Sequence, residues 1–535
     1  MKDYQRFILV FLFFFLCLGL MYFTVDRFIS LDDQFFHIRF AELIKEKGLD
    51  AFKDFKWLYF SRIAQEQTYF ENYHFLFYLV LIPFTLFSPL HLGIKFYGVI
   101  FGALAFWLLY YFLKKIGEKY PLFWTVFVFA VFSIRLLLRF VNARPFTIAP
   151  ALLLIFLYLL YRRQYIWALV LSSVYFGWHS PTFFLTLVVA GVYFLIVRLT
   201  AKKTDWKLVV YPLLGTVLAF LATLLFAPHF LKFMKDVTFS VIYRTLLFGK
   251  ENLIEGTELY PVDYFTFIRP SVIIFGLLVV AFGFELFSFF HRRKQSAGDL
   301  TVLAVDVDDK RALRLTLLAM TVIFLLGTFF VRRNSDYFVF FSGAYLAMAV
   351  NLLLANLKFD NLSLQKFLAG ACIVLVAFLF IDNLVLARSL ISQAQPHELI
   401  EGAASWLKNN AGKNEVIFNV SRDDFPTLFY YNQNNYYITG LEARLLYDYS
   451  PRLYWLWWHI SSQGQACAEP VCHETSDGGA IAQVIAKDFQ SKYVISNFRF
   501  DKLNGIMSQS AAFKLVYEDS YYSIYQIVKM EHGGR

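Results

Sequence analysis

Long apolar runs separated by short polar and basic connections fill the first 387 positions, and a different pattern takes over at Arg388. The apolar segments fall at about 7–25, 73–88, 93–113, 121–138, 146–161, 165–178, 181–198, 208–227, 271–290, 313–331, 338–356 and 366–387. About 20 apolar residues span a bilayer as helix, so these read as membrane helices, the shorter ones tilted or partly buried. From Arg388 onward, short β-rich runs (VIFNV 416–420, YYIT 436–439, KYVIS 492–496, FKLVY 513–517, YYSIYQI 521–527) alternate with helical stretches such as 397–410 and 480–490. This alternation predicts a compact α/β domain, and about 140 residues suffice for its own core. The predicted division is therefore 1–387 and 388–535.

Composition removes the main competitors. The chain is 58% hydrophobic, 20% aromatic and 17% charged, against about 45–50% apolar and about 25% charged in soluble domains. A soluble enzyme, a disordered chain and a coiled coil are all excluded. The net charge of +10 reflects basic cytoplasmic loops, not a nucleic-acid partner. The N-terminal MKDYQRFILVFLFFFLCLGLMYFTVD lacks a small-x-small cleavage site and reads as a retained signal anchor.

The basic loops fix a topology. Lys114-Lys115, Arg162-Arg163, Arg198 to Lys207 and His291 to Arg314 all fall inside only if segment 73–88 does not cross. That segment is short, opens with Tyr73 and His74 and contains Pro83, so it reads as re-entrant or interfacial within a first external loop, 26–92. The expected fold is a polytopic α-helical protein of the cytoplasmic (inner) membrane with about 11 crossings. Its N-terminus is inside, and its α/β domain is extracytoplasmic. There Cys467 and Cys472 are expected to form a disulfide. Cys17 and Cys372 lie in apolar runs and read as inert.

Polar residues gather on the external side, where ionisable groups near a membrane mark function. Asp32, Asp33, His37, Arg39 and Glu42 follow the first helix, on a stretch that reads as an amphipathic helix lying on the membrane surface. Asp33 there is also a natural cap. Glu71, Asn72 and His74 stand at the mouth of the re-entrant segment. Arg135, Arg139, Asn142 and Arg144 end a crossing, where arginines meet anions or snorkel to headgroups. A long external loop, 228–270, holds Glu258. Arg332, Arg333 and Asp336 run against the positive-inside trend, and a phosphate is the simplest reason for them. His179 in GWHSP reads as structural. Carboxylates ringed by arginines suit transfer from a phosphate-bearing lipid. No Walker A or His-Glu-x-x-His pattern is present.

These residues carry a resemblance to the GT-C superfamily of membrane glycosyltransferases, most of all to the catalytic subunit of oligosaccharyltransferases. Asp33, Phe35, Phe36 and Arg39 match that family's Asp, aromatic pair and Arg after the first helix. GTELYPVDYF (256–265) resembles its Ser/Thr-x-Glu motif, and Arg332-Arg333 its arginine near the lipid phosphate. The resemblance implies Asp33 as the metal-binding, acceptor-activating carboxylate and Glu258 as its assistant. It casts Arg144, Arg332 and Arg333 as holders of the donor phosphate, with Asp32, His37, Arg39, Glu71, His74 and Arg139 in support. The family's second acidic motif is replaced by Asn142-Ala143-Arg144-Pro145. That leaves two expectations open, a divalent Mg or Mn ion or an arginine in its place. The family's Trp-Trp-Asp motif has only an echo in Trp457-Trp458-His459, so reading of a peptide sequon is not implied.

The expected activity is sugar transfer from a polyprenyl-phosphate donor to a protein, lipid or polysaccharide acceptor on the external face. A flippase for lipid-linked saccharides and a non-catalytic assembly subunit are the alternatives.

Overall fold

The computed structural model describes residues 3–28, 33–53, 55–65, 74–226, 230–231, 262, 267, 271–295, 304–356, 362–472 and 476–528. Its first part is a helical bundle. In chain order the helices are α1 (Asp3–Phe23), α2 (Asp33–Lys47), α3 (Phe75–Leu81), α4 (His91–Lys115), α5 (Pro121–Val131), α6 (Ile134–Arg139), α7 (Ala149–Tyr161), α8 (Tyr165–Trp178) and α9 (Phe184–Ala201). They continue as α10 (Lys207–Phe226), α11 (Val272–Gln295), α12 (Ala304–Thr328), α13 (Asn334–Asn356) and α14 (Leu362–Ser392). Among the described residues 7 helices are long and apolar enough to cross a membrane, and α5, α7, α8 and part of α11 are shorter apolar helices.

Ion pairs identify the two ends of the bundle. At one end Arg163 meets Asp205 at 3.1 Å and Asp309 at 3.4 Å, and Lys310 meets Glu118 at 3.0 Å. The basic connections thus converge there. Segment 75–86 stays at the other end: His74 lies against Trp178, and after α3 and a short 3-10 turn (Ile82–Leu86) the chain enters α4 at His91, which contacts His397. It is a short apolar helix, below the length needed to cross a membrane.

Two expectations change. The single crossing expected at 121–138 is broken, because Phe132 and Ser133 are extended between α5 and α6. The carbonyls freed there are met by the Asn383 amide, which reaches Phe129, Ala130 and Phe132 at 3.1, 2.9 and 3.4 Å. In a bilayer such a break persists only when the loose backbone groups find partners. Second, α2 does not lie on a lipid surface. Phe35, Phe36, Ile38, Phe40, Leu43 and Ile44 bury more than one face of it. Phe40 packs on Tyr78 of α3 and Phe36 on Phe429 of the C-terminal domain. A helix apolar on two sides needs protein on both.

The C-terminal part is an open α/β unit. Strands β1 (Val416–Asn419), β2 (Tyr436–Tyr437), β3 (Ser491–Asn497), β4 (Phe513–Glu518) and β5 (Tyr522–Ile527) form one sheet in the order β2-β1-β3-β5-β4. The β2-β1-β3 half is parallel and the β3-β5-β4 half antiparallel. Every residue of β1 is buried, as a central parallel strand covered on both faces should be. The first loop joins the sheet edge: Tyr59 N donates to Tyr437 O at 3.1 Å, and Tyr437 N to Trp57 O at 2.8 Å. Helices α15 (Glu401–Asn410) and α16 (Phe425–Tyr431) pack between sheet and bundle, α16 directly on α2. Cys467 and Cys472, expected as a disulfide, are thiols hydrogen-bonded to each other, and burial pushes the Cys467 thiol up.

Candidate active site

The site is built at the end of the bundle opposite the basic loops, from two turns that local sequence makes rigid. Asp33 opens α2, where the helix dipole favours a carboxylate. Arg144 precedes Pro145, which restricts it to the extended conformation it adopts (φ -133, ψ 153). The turn around it is closed by Thr147 Oγ1 donating to Asn142 O at 2.7 Å and by Trp178 Nε1 donating to Pro145 O at 2.6 Å. Gly98 of α4 lets the turn approach, since a Cβ there would lie 1.8 Å from Val141 O.

These turns bring together groups 111 positions apart: Arg144 Nη2 stands 3.3 Å from Asp33 Oδ2. The Arg144 side chain is 9% exposed and that of Asp33 29%, so the carboxylate keeps access while its cation is sunk in protein. Arg144 also lies over the Phe146 ring at 5.7 Å.

Two histidines extend the site along α2 and α3. His37, one turn beyond Asp33, has Nδ1 2.6 Å from the Tyr78 hydroxyl. Burial and then the Arg144 cation push its pKa down to about 3. His74 is pushed well below the ordinary imidazole value, by burial first and then by His179, His37 and, more weakly, Arg333. Its ring stacks on His179 at 5.2 Å and 6°, and its Nδ1 lies 3.3 Å from Trp178 O. A carbonyl only accepts, so Nδ1 carries the proton of that bond and Nε2 is the acceptor nitrogen. His179 Nδ1 bonds Thr182 Oγ1, and Thr182 and Tyr175 both reach the Tyr337 hydroxyl. His179, read as merely structural in sequence, therefore backs the site. Only its place next to Trp178, far from any motif, leads there.

Of the remaining expected residues, Arg333 bears on His74 from the turn before α13, with Arg332 half-buried beside it. Arg139 is corrected to a structural role. Its Nε and Nη2 clasp Asp336 at 2.9 and 3.0 Å, with the carboxylate 2% exposed. A bidentate pair this enclosed ties α6 to α13. Arg39 is likewise corrected. It donates to Tyr430 O at 2.8 Å, lies over the Tyr430 ring at 4.9 Å and pairs with Glu42. It fastens α2 to the C-terminal domain. Asp32, Glu71 and Glu258 lie outside the described residues, as does the side chain of Arg135.

A divalent ion needs several hard donors, yet the described neighbour of Asp33 is a guanidinium. No three His, Cys, Asp or Glu side chains gather for a metal among the described residues. The other acidic candidates, Asp32, Glu71 and Glu258, lie outside the described residues.

Bundle, first-loop aspartate and trailing α/β unit together make a helical membrane-protein fold with a C-terminal sheet. The solved structures agree in architecture. The archaeal oligosaccharyltransferase AglB from Archaeoglobus fulgidus, in complex with an inhibitory peptide and a dolichol-phosphate, matches with TM-score 0.61 and 11% identity over 94% of this chain and 70% of that one. ArnT from Cupriavidus metallidurans bound to undecaprenyl phosphate matches with TM-score 0.58 and 10% identity over 99% of this chain and 100% of that one. Its apo form gives 0.53 and 10% over 98% of each. No protein-family profile matches the chain, and no curated protein matches it in sequence.

Proposed function

We propose that the chain transfers a sugar from a polyprenyl-phosphate donor to an acceptor at the outer face of the cytoplasmic membrane. On the topology read from the loop charges, with about eleven crossings, the basic loops lie inside, and Asp33 and the α/β domain outside. The observation that carries the reading is the Asp33–Arg144 pair, a carboxylate beside a buried cation, with Arg333 across the neighbouring histidines. The bound dolichol-phosphate of AglB and undecaprenyl phosphate of ArnT point to the donor class.

In the reaction, the acceptor hydroxyl or amide gives its proton toward Asp33 as its oxygen or nitrogen attacks the anomeric carbon. The bond from that carbon to the phosphate oxygen breaks, and its electron pair leaves on the phosphate. Arg144 and Arg333, with Arg332, meet the charge that develops there. In this reading Arg144 supplies the positive charge that a divalent ion would otherwise bring. Glu258 assists from the long external loop. Neutral His37 and His74 offer hydrogen bonds without adding positive charge.

The test is transfer from a panel of polyprenyl-phosphate sugars in isolated membranes. Asp33→Asn is expected to lower transfer by about 10²–10⁴-fold, the worth of a positioned base, with expression and thermal unfolding unchanged. Full transfer by that variant removes the assignment.

A further inference from the structure

A second polar feature lies at the same end of the bundle, away from Asp33. Where α1 and α14 emerge, a cleft of about 640 Å³ opens between them, walled by Thr24, Asp26 and Arg27 on one side and Val385, Arg388 and Ser389 on the other. It is not a branch of the site above. Phe28 and Phe35, both fully buried, meet edge to face at 4.8 Å, and His397 packs on both rings. This aromatic wall stands between the cleft and the helix that carries Asp33.

We infer that this cleft binds the headgroup of an anionic two-chain glycerophospholipid. The charge supports that occupant. Arg27 and Arg388 line it from opposite walls. Arg388 Nε donates to Thr24 Oγ1 at 3.1 Å, and Arg27 Nη1 to Asp26 O at 2.7 Å. Among the described residues, one bond each from a five-donor fork holds the guanidinium planes and leaves further donors for phosphate oxygens. Lys95 adds a cation beneath the floor through its 2.6 Å bond to Val25 O. The Asp26 carboxylate, close enough to bear on Lys95 and His397, offsets part of that charge.

Shape supports it as well. Directly below the cleft, apolar side chains of both helices face outward: Leu20 on α1, and Ile381, Val385 and Leu386 on α14. A headgroup seated on the arginines lays its acyl chains along these faces. A free phosphate has no use for them. The position gives the lipid leverage, because α14 runs on into the segment holding His397, whose Nε2 lies 3.2 Å from His91 Nδ1 of α4. The lipid thereby stiffens the junction between bundle and α/β domain.

Native mass spectrometry of the detergent-purified full chain tests this with dioleoyl phosphatidylglycerol, dioleoyl phosphatidylcholine and inorganic phosphate as probes. The expected result is one tightly held phosphatidylglycerol per chain. Retention falls at least tenfold in the Arg27→Gln/Arg388→Gln variant and in Val385→Trp, which fills the cleft without touching charge. It is undiminished in Asp33→Asn. Equal retention of phosphatidylglycerol by wild type and both cleft variants overturns the site and shows ordinary annular lipid. Equal binding of phosphatidylcholine overturns the anionic headgroup, and competition by inorganic phosphate alone overturns the lipid.

Discussion

Replacing Arg144 tests whether the aspartate and the arginine work as one unit. Two unit charges 3.3 Å apart attract by about 5 kcal/mol at an effective dielectric constant near 20. Burying the guanidinium offsets part of this. What Arg144→Gln exposes is the opposite cost, a carboxylate left beside a cavity without its cation. Breaking a fully buried pair costs about 3–5 kcal/mol. Asp33 retains 29% exposure, so solvent recovers part of that, and a loss of about 2–3 kcal/mol is expected in the local structure. Loss of one preorganised donor to the leaving phosphate lowers turnover by about 10²–10³-fold.

The decisive assay is a double-mutant cycle on transfer rate, with Asp33→Asn, Arg144→Gln and the pair, alongside thermal unfolding of each. Because each residue holds the other's charge in place, the double variant is expected to be little slower than the worse single variant. Strictly multiplicative losses, or a single Arg144→Gln variant with more than half of wild-type transfer, would refute the coupling. Arg144→Lys discriminates further. It keeps the charge but not the planar fork, so partial activity is expected.

Other consequences can be checked independently. Transfer should be unaffected by EDTA; loss on chelation restored by Mg or Mn would show that a metal does what is assigned to Arg144. Arg139→Gln should lower stability by about 3–5 kcal/mol, because it strands the enclosed Asp336 carboxylate. Arg139→Gln/Asp336→Asn should recover much of the melting temperature, and an unchanged Tm in the single variant would contradict a structural role. His37 is held neutral in the fold, with its pKa down at about 3, and ionises near 6.5 when unfolded. The unfolded chain therefore binds the extra proton, and stability falls by about 1.4 kcal/mol per pH unit from about pH 6 toward 3. His74, shifted the same way, steepens the fall. His37→Gln should flatten it in a denaturation series, and an unaltered slope would exclude the assignment.

Much of the fold was legible because its determinants are local. Membrane helices announce themselves by length and apolarity. Five β-rich runs became five strands. Asp33 could be found because it follows the first helix with an aromatic pair in register. What could not be read are the contacts between distant residues. Nothing local in Arg139 and Arg144 says that one would lock onto Asp336 and the other meet Asp33. Both are arginines at the end of a helix. The break at Phe132-Ser133 was hidden for a related reason: the residue that makes it tolerable, Asn383, lies about 250 positions later. The burial of α2 was misread because its apolar residues look alike whether lipid or protein covers them.

The break is also what makes the site geometrically possible. A continuous helix through 121–139 would carry its rise straight to the bundle end, whereas the extended pair at Phe132-Ser133 interrupts it, and α6 then hands the chain to the 140–147 turn. That turn is pressed on α4 at Gly98 and aims Arg144 at Asp33. Asn383 holds the break from α14, and α14 leads to the α/β domain, which grips α2 through Arg39 and Tyr430. Both halves of the Asp33–Arg144 pair are thus positioned, along separate routes, by the C-terminal third of the chain. The trailing domain is better understood as part of the scaffold for the pair than as an appendage to a finished helical bundle.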